Sequence, residues 1–473
     1  MPDEPYRPKP GDRTYRVPRV KPLQITVSEI RRKRPVGVSM LIVVYGFLGM
    51  IAAGTILLML PVSSSTGLPT SFIDSLFTAT SATCITGLVV VDTLGHWSYF
   101  GQAVILILIQ SGGLGFMTSA TILLVAAGRR ISLRERILIG ESVGLPRIGG
   151  AVRLVRNIVF FVLSVEAIGA MLFYIRFSGE YEWNIAIWKS VFHAVSAFNN
   201  AGFDLFGSFR SLSGYSNDYT IILTTAVLII LGGISFIVIS DMYRSRGLKR
   251  SSANTKLVFY ITIILLAAGT LVVLITEFNN PQTIGEMSLQ AKISNAFFQS
   301  VTSRSAGFST FSMGAMTFYA FFFTLLLMFI GGATGSTAGG IKVNTFGLLM
   351  ATIISTIRGR EHPGAFGREF PVPQIFRAVT ILVIALGLIA AVFLILSATE
   401  NFSSNEILFE AISAVGIVGL STGITPGLSV IGKAVILIII FIGRLGPLTL
   451  SLALARAQRE TPYRFPKESI RIG

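Results

Sequence analysis

Four segments of the 473-residue sequence share a spacing that suits ion coordination better than bond-making. They read Leu76-Phe77-Thr78-Ala79-Thr80-Ser81-Ala82-Thr83-Cys84-Ile85-Thr86-Gly87-Leu88, Val191-Phe192-His193-Ala194-Val195-Ser196-Ala197-Phe198-Asn199-Asn200-Ala201-Gly202-Phe203, Ala296-Phe297-Phe298-Gln299-Ser300-Val301-Thr302-Ser303-Arg304-Ser305-Ala306-Gly307-Phe308 and Leu408-Phe409-Glu410-Ala411-Ile412-Ser413-Ala414-Val415-Gly416-Ile417-Val418-Gly419-Leu420. Each has a phenylalanine ten residues before a glycine, and Leu or Phe after that glycine. Backbone carbonyls can replace the hydration shell of a monovalent cation, and glycine admits backbone angles closed to other residues where the chain turns most tightly. The candidate coordinating residues are therefore Thr83 to Gly87, Phe198 to Gly202, Ser303 to Gly307 and Val415 to Gly419, a monovalent cation being the metal expected on their carbonyls. Small residues also gather where membrane helices merely pack. Four copies in one register favour the pore.

Bond-making alternatives are poorly supplied. The chain has one cysteine, Cys84, which excludes an intrachain disulfide or cysteine-rich metal site, and three scattered histidines make a zinc enzyme a poor fit. Gly419-Leu420-Ser421-Thr422-Gly423 formally matches a hydrolase nucleophile elbow. That motif needs a strand–turn–helix setting and a histidine base. His96, His193 and His362 fall in an outer loop, a pore helix and a cytoplasmic loop, so an intramembrane serine hydrolase is a remote alternative and no catalytic residue is assigned.

The elements that must position these segments are membrane helices. Hydrophobic residues make up 52% of the chain and charged residues only 13%, far from a soluble composition. Apolar stretches near 38–60, 97–127, 155–177, 219–242, 255–278, 317–355, 374–397 and 431–455 are long enough to cross a bilayer. Of the 39 Lys and Arg, 31 lie in the tail before residue 37, in the connections 128–156, 243–256 and 358–377, and after 455. The other connections, 61–96, 176–218, 277–316 and 398–433, hold 11 acids and six bases. The positive-inside rule places the basic segments and both termini in the cytoplasm and explains the net charge of +16 without nucleic acid. Eight full spans satisfy it. The expected fold is an all-α membrane protein of four membrane–pore loop–membrane repeats around a pseudo-fourfold central pore. Its parts are a basic tail 1–37, repeat one 38–127, a linker 128–154, repeat two 155–243, a linker 244–254, repeat three 255–357, a linker 358–373, repeat four 374–457 and a tail 458–473. About ten helical residues reach only halfway across a bilayer, so each pore segment must enter as a short helix and return extended. All four enter from the same side, which disfavours a secondary transporter with inverted repeats.

From about residue 38 to 457 the sequence resembles the potassium transporter superfamily that includes the Trk, Ktr and HKT proteins. The motifs that carry this are Thr83-Cys84-Ile85-Thr86-Gly87-Leu88, Phe198-Asn199-Asn200-Ala201-Gly202-Phe203, Thr302-Ser303-Arg304-Ser305-Ala306-Gly307-Phe308 and Val415-Gly416-Ile417-Val418-Gly419-Leu420. Within the superfamily it is most similar to the KtrB-type membrane subunits of bacterial Ktr systems. The resemblance implies potassium uptake across the plasma (inner) membrane by a homodimer with one pore per subunit. It also implies a cytoplasmic ring of KtrA-like RCK regulatory subunits, and it allows sodium as an activator. The chain itself has no nucleotide motif, so nucleotide is expected only on that partner. No cofactor is expected in the chain. Lipid is the other partner, and sodium or ammonium transport is the alternative.

The stretch Gly331-Gly332-Ala333-Thr334-Gly335-Ser336-Thr337-Ala338-Gly339-Gly340-Ile341-Lys342 is too glycine-rich to stay helical, so the span 317–355 should break there. The resemblance makes it an intramembrane gate below the filter, with Gly331, Gly332, Gly335, Ser336, Thr337, Gly339, Gly340 and Lys342 as gate residues. Arg444 lies inside the last span, where a charge usually faces a cavity or a partner. The resemblance puts it in the pore below the filter; an ion pair with Glu166, or snorkelling, is the alternative. Arg304 would repel a cation, so it is expected to turn outward to Asp92 or Asp204. Lys342 is expected to anchor the loop to a facing carbonyl.

Overall fold

The computed structural model describes residues 36–115, 151–360 and 362–446. Most of the tail 1–37, all of the tail 458–473, most of the linker 128–154 and the ends of the spans 97–127 and 431–455 lie outside the described residues.

The protein is predominantly helical. A helix α1 (Val36–Met59) leads to a short α2 (Phe72–Thr83) and then α3 (Tyr99–Leu114). The pattern recurs in α4 (Ala151–Phe177), α5 (Trp183–Phe198) and α6 (Tyr219–Gly233), which a bend joins to α7 (Phe236–Arg244). It recurs again in α8 (Ala253–Glu277), α9 (Leu289–Thr302) and α10 (Phe318–Phe329), followed by α11 (Val343–Ile357), and in α12 (Val372–Thr399), α13 (Ser404–Gly416) and α14 (Val430–Leu445). The short helices are started by their caps: Ser71, Ser288 and Ser403 each accept a backbone N–H from the first turn, and Ser403 completes a capping box with Glu406.

Packing between the groups is cyclic. Helix α3 packs on α5, α6 on α9, α10 on α13, and α14 on α2. At the outer end the last of these contacts is reinforced by an ion pair, Lys433 Nζ to Asp74 Oδ1 at 2.8 Å. The cores between helices are aliphatic and aromatic, with Phe77, Phe192, Phe298 and Phe409 fully buried. The first, second and last of these are the phenylalanines ten residues before the turn glycine. In the third segment Phe298, one residue later, is the one in the core.

Three helices among the described residues are long and apolar enough to cross a membrane: Val155–Phe177, Ala253–Glu277 and Val372–Thr399. Tyr219–Gly233 and Phe236–Arg244 make a fourth if the pair, bent by 84°, is one span. Large apolar side chains such as Ile168, Ile175, Leu271, Ile275, Val383 and Leu394 stand exposed on the long helices, as lipid-facing surfaces require. Of the other expected spans, 38–60 corresponds to α1, while 97–127 and 431–455 are described only as far as residues 115 and 446. The span 317–355 divides into α10 and α11 around the glycine-rich stretch, as expected. The break at 234–235 was not expected from the sequence. One departure from an all-α chain is a small antiparallel hairpin, Gly364–Ala365 with Arg368–Glu369, in a basic linker. Its two-residue turn has positive φ at both Phe366 and Gly367, the pattern of tight hairpins.

Candidate functional site: four glycine turns and the loop against them

Each short helix ends where its turn begins, and the four turns share one backbone pattern. The residue two before the turn glycine has a positive φ in every copy, Ile85 at 54°, Asn200 at 58°, Ser305 at 73° and Ile417 at 52°, as do the glycines Gly87, Gly202, Gly307 and Gly419 at 73° to 90°. A β-branched residue in this region is an outlier that only its surroundings can enforce. Hydroxyls of the short helices supply part of that enforcement. Gly87 N–H donates to Ser81 Oγ at 3.2 Å and Gly419 N–H to Ser413 Oγ at 3.1 Å, while Ser196 Oγ donates to Phe203 O at 2.7 Å. In the third copy Thr302 Oγ1 donates to Phe308 O at 2.6 Å. Sequence reasoning missed these hydroxyls, although Ser81, Ser196 and Ser413 all stand six residues before the glycine.

The four glycines meet. A Cβ placed on Gly87 would lie 2.6 Å from Ala201 O and 3.1 Å from Gly202 Cα; one on Gly202 would lie 2.8 Å from Ala306 O and 3.1 Å from Gly307 Cα. From Gly307 the distances are 3.0 Å to Val418 O and 3.2 Å to Gly419 Cα, and from Gly419 they are 2.1 Å to Thr86 O and 3.1 Å to Gly87 Cα. The contacts run from the first copy to the fourth and back to the first, a closed ring of backbone. The predicted coordinating residues around it, Thr83 to Gly87, Phe198 to Gly202, Ser303 to Gly307 and Val415 to Gly419, are all brought together, and all but the half-buried Gly307 are buried. Helical dipoles of α2, α5, α9 and α13 end at this ring with their partly negative C-termini, which favours a cation.

Against the ring lies the chain 330–342, closed on itself by Gly331 N–H to Ile341 O at 2.9 Å and Val343 N–H to Gly332 O at 3.0 Å. The bend after α6 provides acceptors for it: Ala333 N–H donates to Gly233 O at 3.0 Å and Thr337 N–H to Gly232 O at 3.2 Å. Gly339 N–H donates to Ser305 Oγ at 2.8 Å, and Gly340, at φ 68°, sits against Gly416 O. Ser336 Oγ closes the local turn on Ala333 O, with Gly335 beside it at φ 78°. Arg444 donates to Thr337 O at 2.8 Å and also to Gly112 O, so it ties the loop to α3.

The TrkH model, described as a cation transport protein, matches residues 23–461. The chain belongs to the TrkH family. It is 42% identical to the Ktr system potassium uptake protein B of Bacillus subtilis over 90% of this chain and 95% of that one. It is 39% identical to the potassium/sodium uptake protein NtpJ of Enterococcus hirae over 90% and 96% of the two chains. The crystal structure of the potassium transporter TrkH from Vibrio parahaemolyticus shares the fold, with a TM-score of 0.69 over 90% of this chain and 86% of that one at 20% identity. The resemblance to the Trk, Ktr and HKT superfamily therefore holds, and the chain is a multi-pass membrane protein of a transporter family, not an enzyme.

Within this TrkH-family site, several side chains depart from expectation. Arg304 does not pair with Asp92 or Asp204: it is 8% exposed and donates to Gly331 O at 3.3 Å. Its position just past α9 aims it at the loop, where the Gly331 carbonyl accepts from one guanidinium nitrogen while the buried Nε has no partner. The outer carboxylates are occupied elsewhere, Asp92 by the N–H groups of Gly95 and Phe209 and Asp204 by that of Phe206. Arg444 does not pair with Glu166, which instead accepts from Asn199 Nδ2 at 2.9 Å and Gln110 Nε2 at 3.2 Å. Lys342 donates to Ala338 O, a carbonyl of its own loop. Ser421 has no histidine partner; its hydroxyl donates to Glu410, and Gly419 belongs to the ring. The elbow reading ends there. On the outer side, burial pushes the Asp204 carboxyl up to about 6; the Phe206 N–H opposes the shift and nearby Asp92 adds to it.

Proposed function

We propose that this chain is the membrane subunit of a Ktr-type potassium uptake system in the plasma (inner) membrane. In this reading each helix–short helix–helix group is a membrane–pore–membrane repeat, the four repeats surround one pore with pseudo-fourfold symmetry, and eight spans keep both termini in the cytoplasm. The carbonyls of the four turns form the selectivity filter. The chain 331–342, with Arg444, is the gate. The subunit works as a homodimer on a ring of nucleotide-binding RCK subunits, and nucleotide control arrives through that partner.

The observation that carries the proposal is the closed contact of Gly87, Gly202, Gly307 and Gly419, each at positive φ, in a chain whose relatives are named for potassium uptake. A ring of backbone with no room for a side chain suits a dehydrated alkali cation. The relative named for potassium and sodium supports a second reading, a less selective monovalent cation pathway, in which ammonium also competes. Uptake of potassium, rubidium, sodium and ammonium into vesicles carrying the purified chain decides between them. Potassium and rubidium should enter and saturate together. Equal rates for all four ions select the second reading, and no flux of any of them overturns both.

A further inference from the structure

Ser305 joins the third turn, the fourth turn and the loop through one hydroxyl. Its Oγ donates to Ile417 O at 2.6 Å and accepts the Gly339 N–H at 2.8 Å. The residue before it, Arg304, donates to Gly331 O, so two adjacent residues of the third turn hold both ends of the loop. Ile417 is the β-branched residue at φ 52°, and a Cβ on Gly339 would lie 2.4 Å from its own Cβ. The strained fourth turn is thus braced by a hydroxyl whose orientation is set by the loop. The matching positions elsewhere do not make this link: Ile85 has no polar side chain, and Asn200, whose Oδ1 accepts from Thr337 Oγ1 of the loop at 3.4 Å, has no acceptor for its Nδ2 and so reaches no neighbouring turn.

We propose that Ser305 is a positioning residue that couples the loop to the ion-coordinating ring, so that displacing the loop alters the fourth turn and ion occupancy of the ring biases the loop. This rests on the filter and gate reading above. Withdrawing the Gly339 N–H frees the hydroxyl to rotate away from Ile417 O, and the left-handed Ile417 loses one of its constraints. Coupling between two sites is reciprocal, so the loop and the bound ion must influence each other by the same factor.

The test is a cycle of variants of the full chain: Ser305→Ala and Ser305→Gly, each with the loop intact and with residues 334–336 deleted. Rubidium binding to the purified protein and rubidium uptake into vesicles are both measured. With the loop intact, each Ser305 substitution should weaken rubidium binding roughly three- to tenfold, the scale of one net hydrogen bond, and raise uptake in the absence of any partner. In the shortened loop the same substitutions should change binding less than about twofold, since the coupling is already broken. Agreement between Ala and Gly assigns the effect to the hydroxyl, because Gly leaves the positive φ free. Equal fold-changes in both backgrounds, or an effect in only one of the two variants, overturn the proposal. If the unaltered chain takes up no potassium or rubidium, the functional reading fails by itself, while the binding cycle still reports whether Ser305 and the loop are coupled.

Discussion

Gly419 and Gly423 offer a matched pair of perturbations four residues apart. Both have positive φ, 88° and 103°, so an alanine at either pays the left-handed strain of about 1 kcal/mol. Their surroundings differ. A Cβ at Gly423 meets nothing within 4 Å, whereas at Gly419 it lies 2.1 Å from Thr86 O, about 1.3 Å short of an ordinary contact, and 3.1 Å from both Gly307 and Gly87 Cα. The neighbours are backbone and cannot rotate away, so the ring must open by about 1 Å at the carbonyl before the first turn glycine. Gly423→Ala should therefore cost about 1 kcal/mol of stability and leave the half-saturation for potassium within about twofold. Gly419→Ala should weaken potassium binding by at least about tenfold, as expected when a coordinating oxygen is misplaced by that distance. Isothermal titration with potassium, alongside vesicle uptake, reads both. If the two variants transport and bind alike, the ring is not the ion site.

Arg444→Gln removes the guanidinium that joins Thr337 O to Gly112 O, so uptake without a regulatory partner should rise several-fold, as measured by rubidium flux. Asp204 is charged above about pH 6 and neutral below, so uptake should fall as outside pH drops from 7 to 5; Asp204→Asn should give a flat, lower profile over that range. Burial raises the Asp74 carboxyl, but its hydrogen bonds to Lys433 and Ser71 and the lysine charge outweigh this and hold it below the usual range. A lowered folded-state value contributes stability above the unfolded value near 4 that is lost as pH falls further. Lys433→Met should cost roughly 1 kcal/mol at neutral pH and remove that acid-side loss, as read from melting temperatures at pH 3 to 7.

The recurring turns were legible because their signature is local: a phenylalanine and a glycine ten residues apart mark each copy, although the bracing hydroxyls, six residues before the glycine in three copies and five in the third, were not read. The break at 331–342 was legible for a similar reason, since five glycines in twelve residues cannot sustain a helix. Side-chain direction was not. Arg304 was read from its charge alone, and nothing in its neighbours along the chain reveals that Gly331, 27 residues on, supplies its acceptor. The partnership of Glu166 with Asn199 and Gln110 likewise spans three helices. The bend after Gly233 follows a glycine pair and is restarted by Ser235, which caps α7, and the carbonyls it releases are taken by another segment, a pairing that the local sequence does not reveal. Hydropathy did not reveal that 219–242 is broken, because a broken helix keeps its apolar composition while losing its continuity.

That bend has a consequence for solvent. With the loop in place, the oxygens of Gly232 and Gly233 are satisfied by Thr337 and Ala333; with it displaced, two carbonyls in a region of low polarity lose their donors. Each bare group costs several kcal/mol in such surroundings unless water reaches it. Loop displacement is therefore also a wetting event, and osmolytes that draw water from crevices should hold the protein shut.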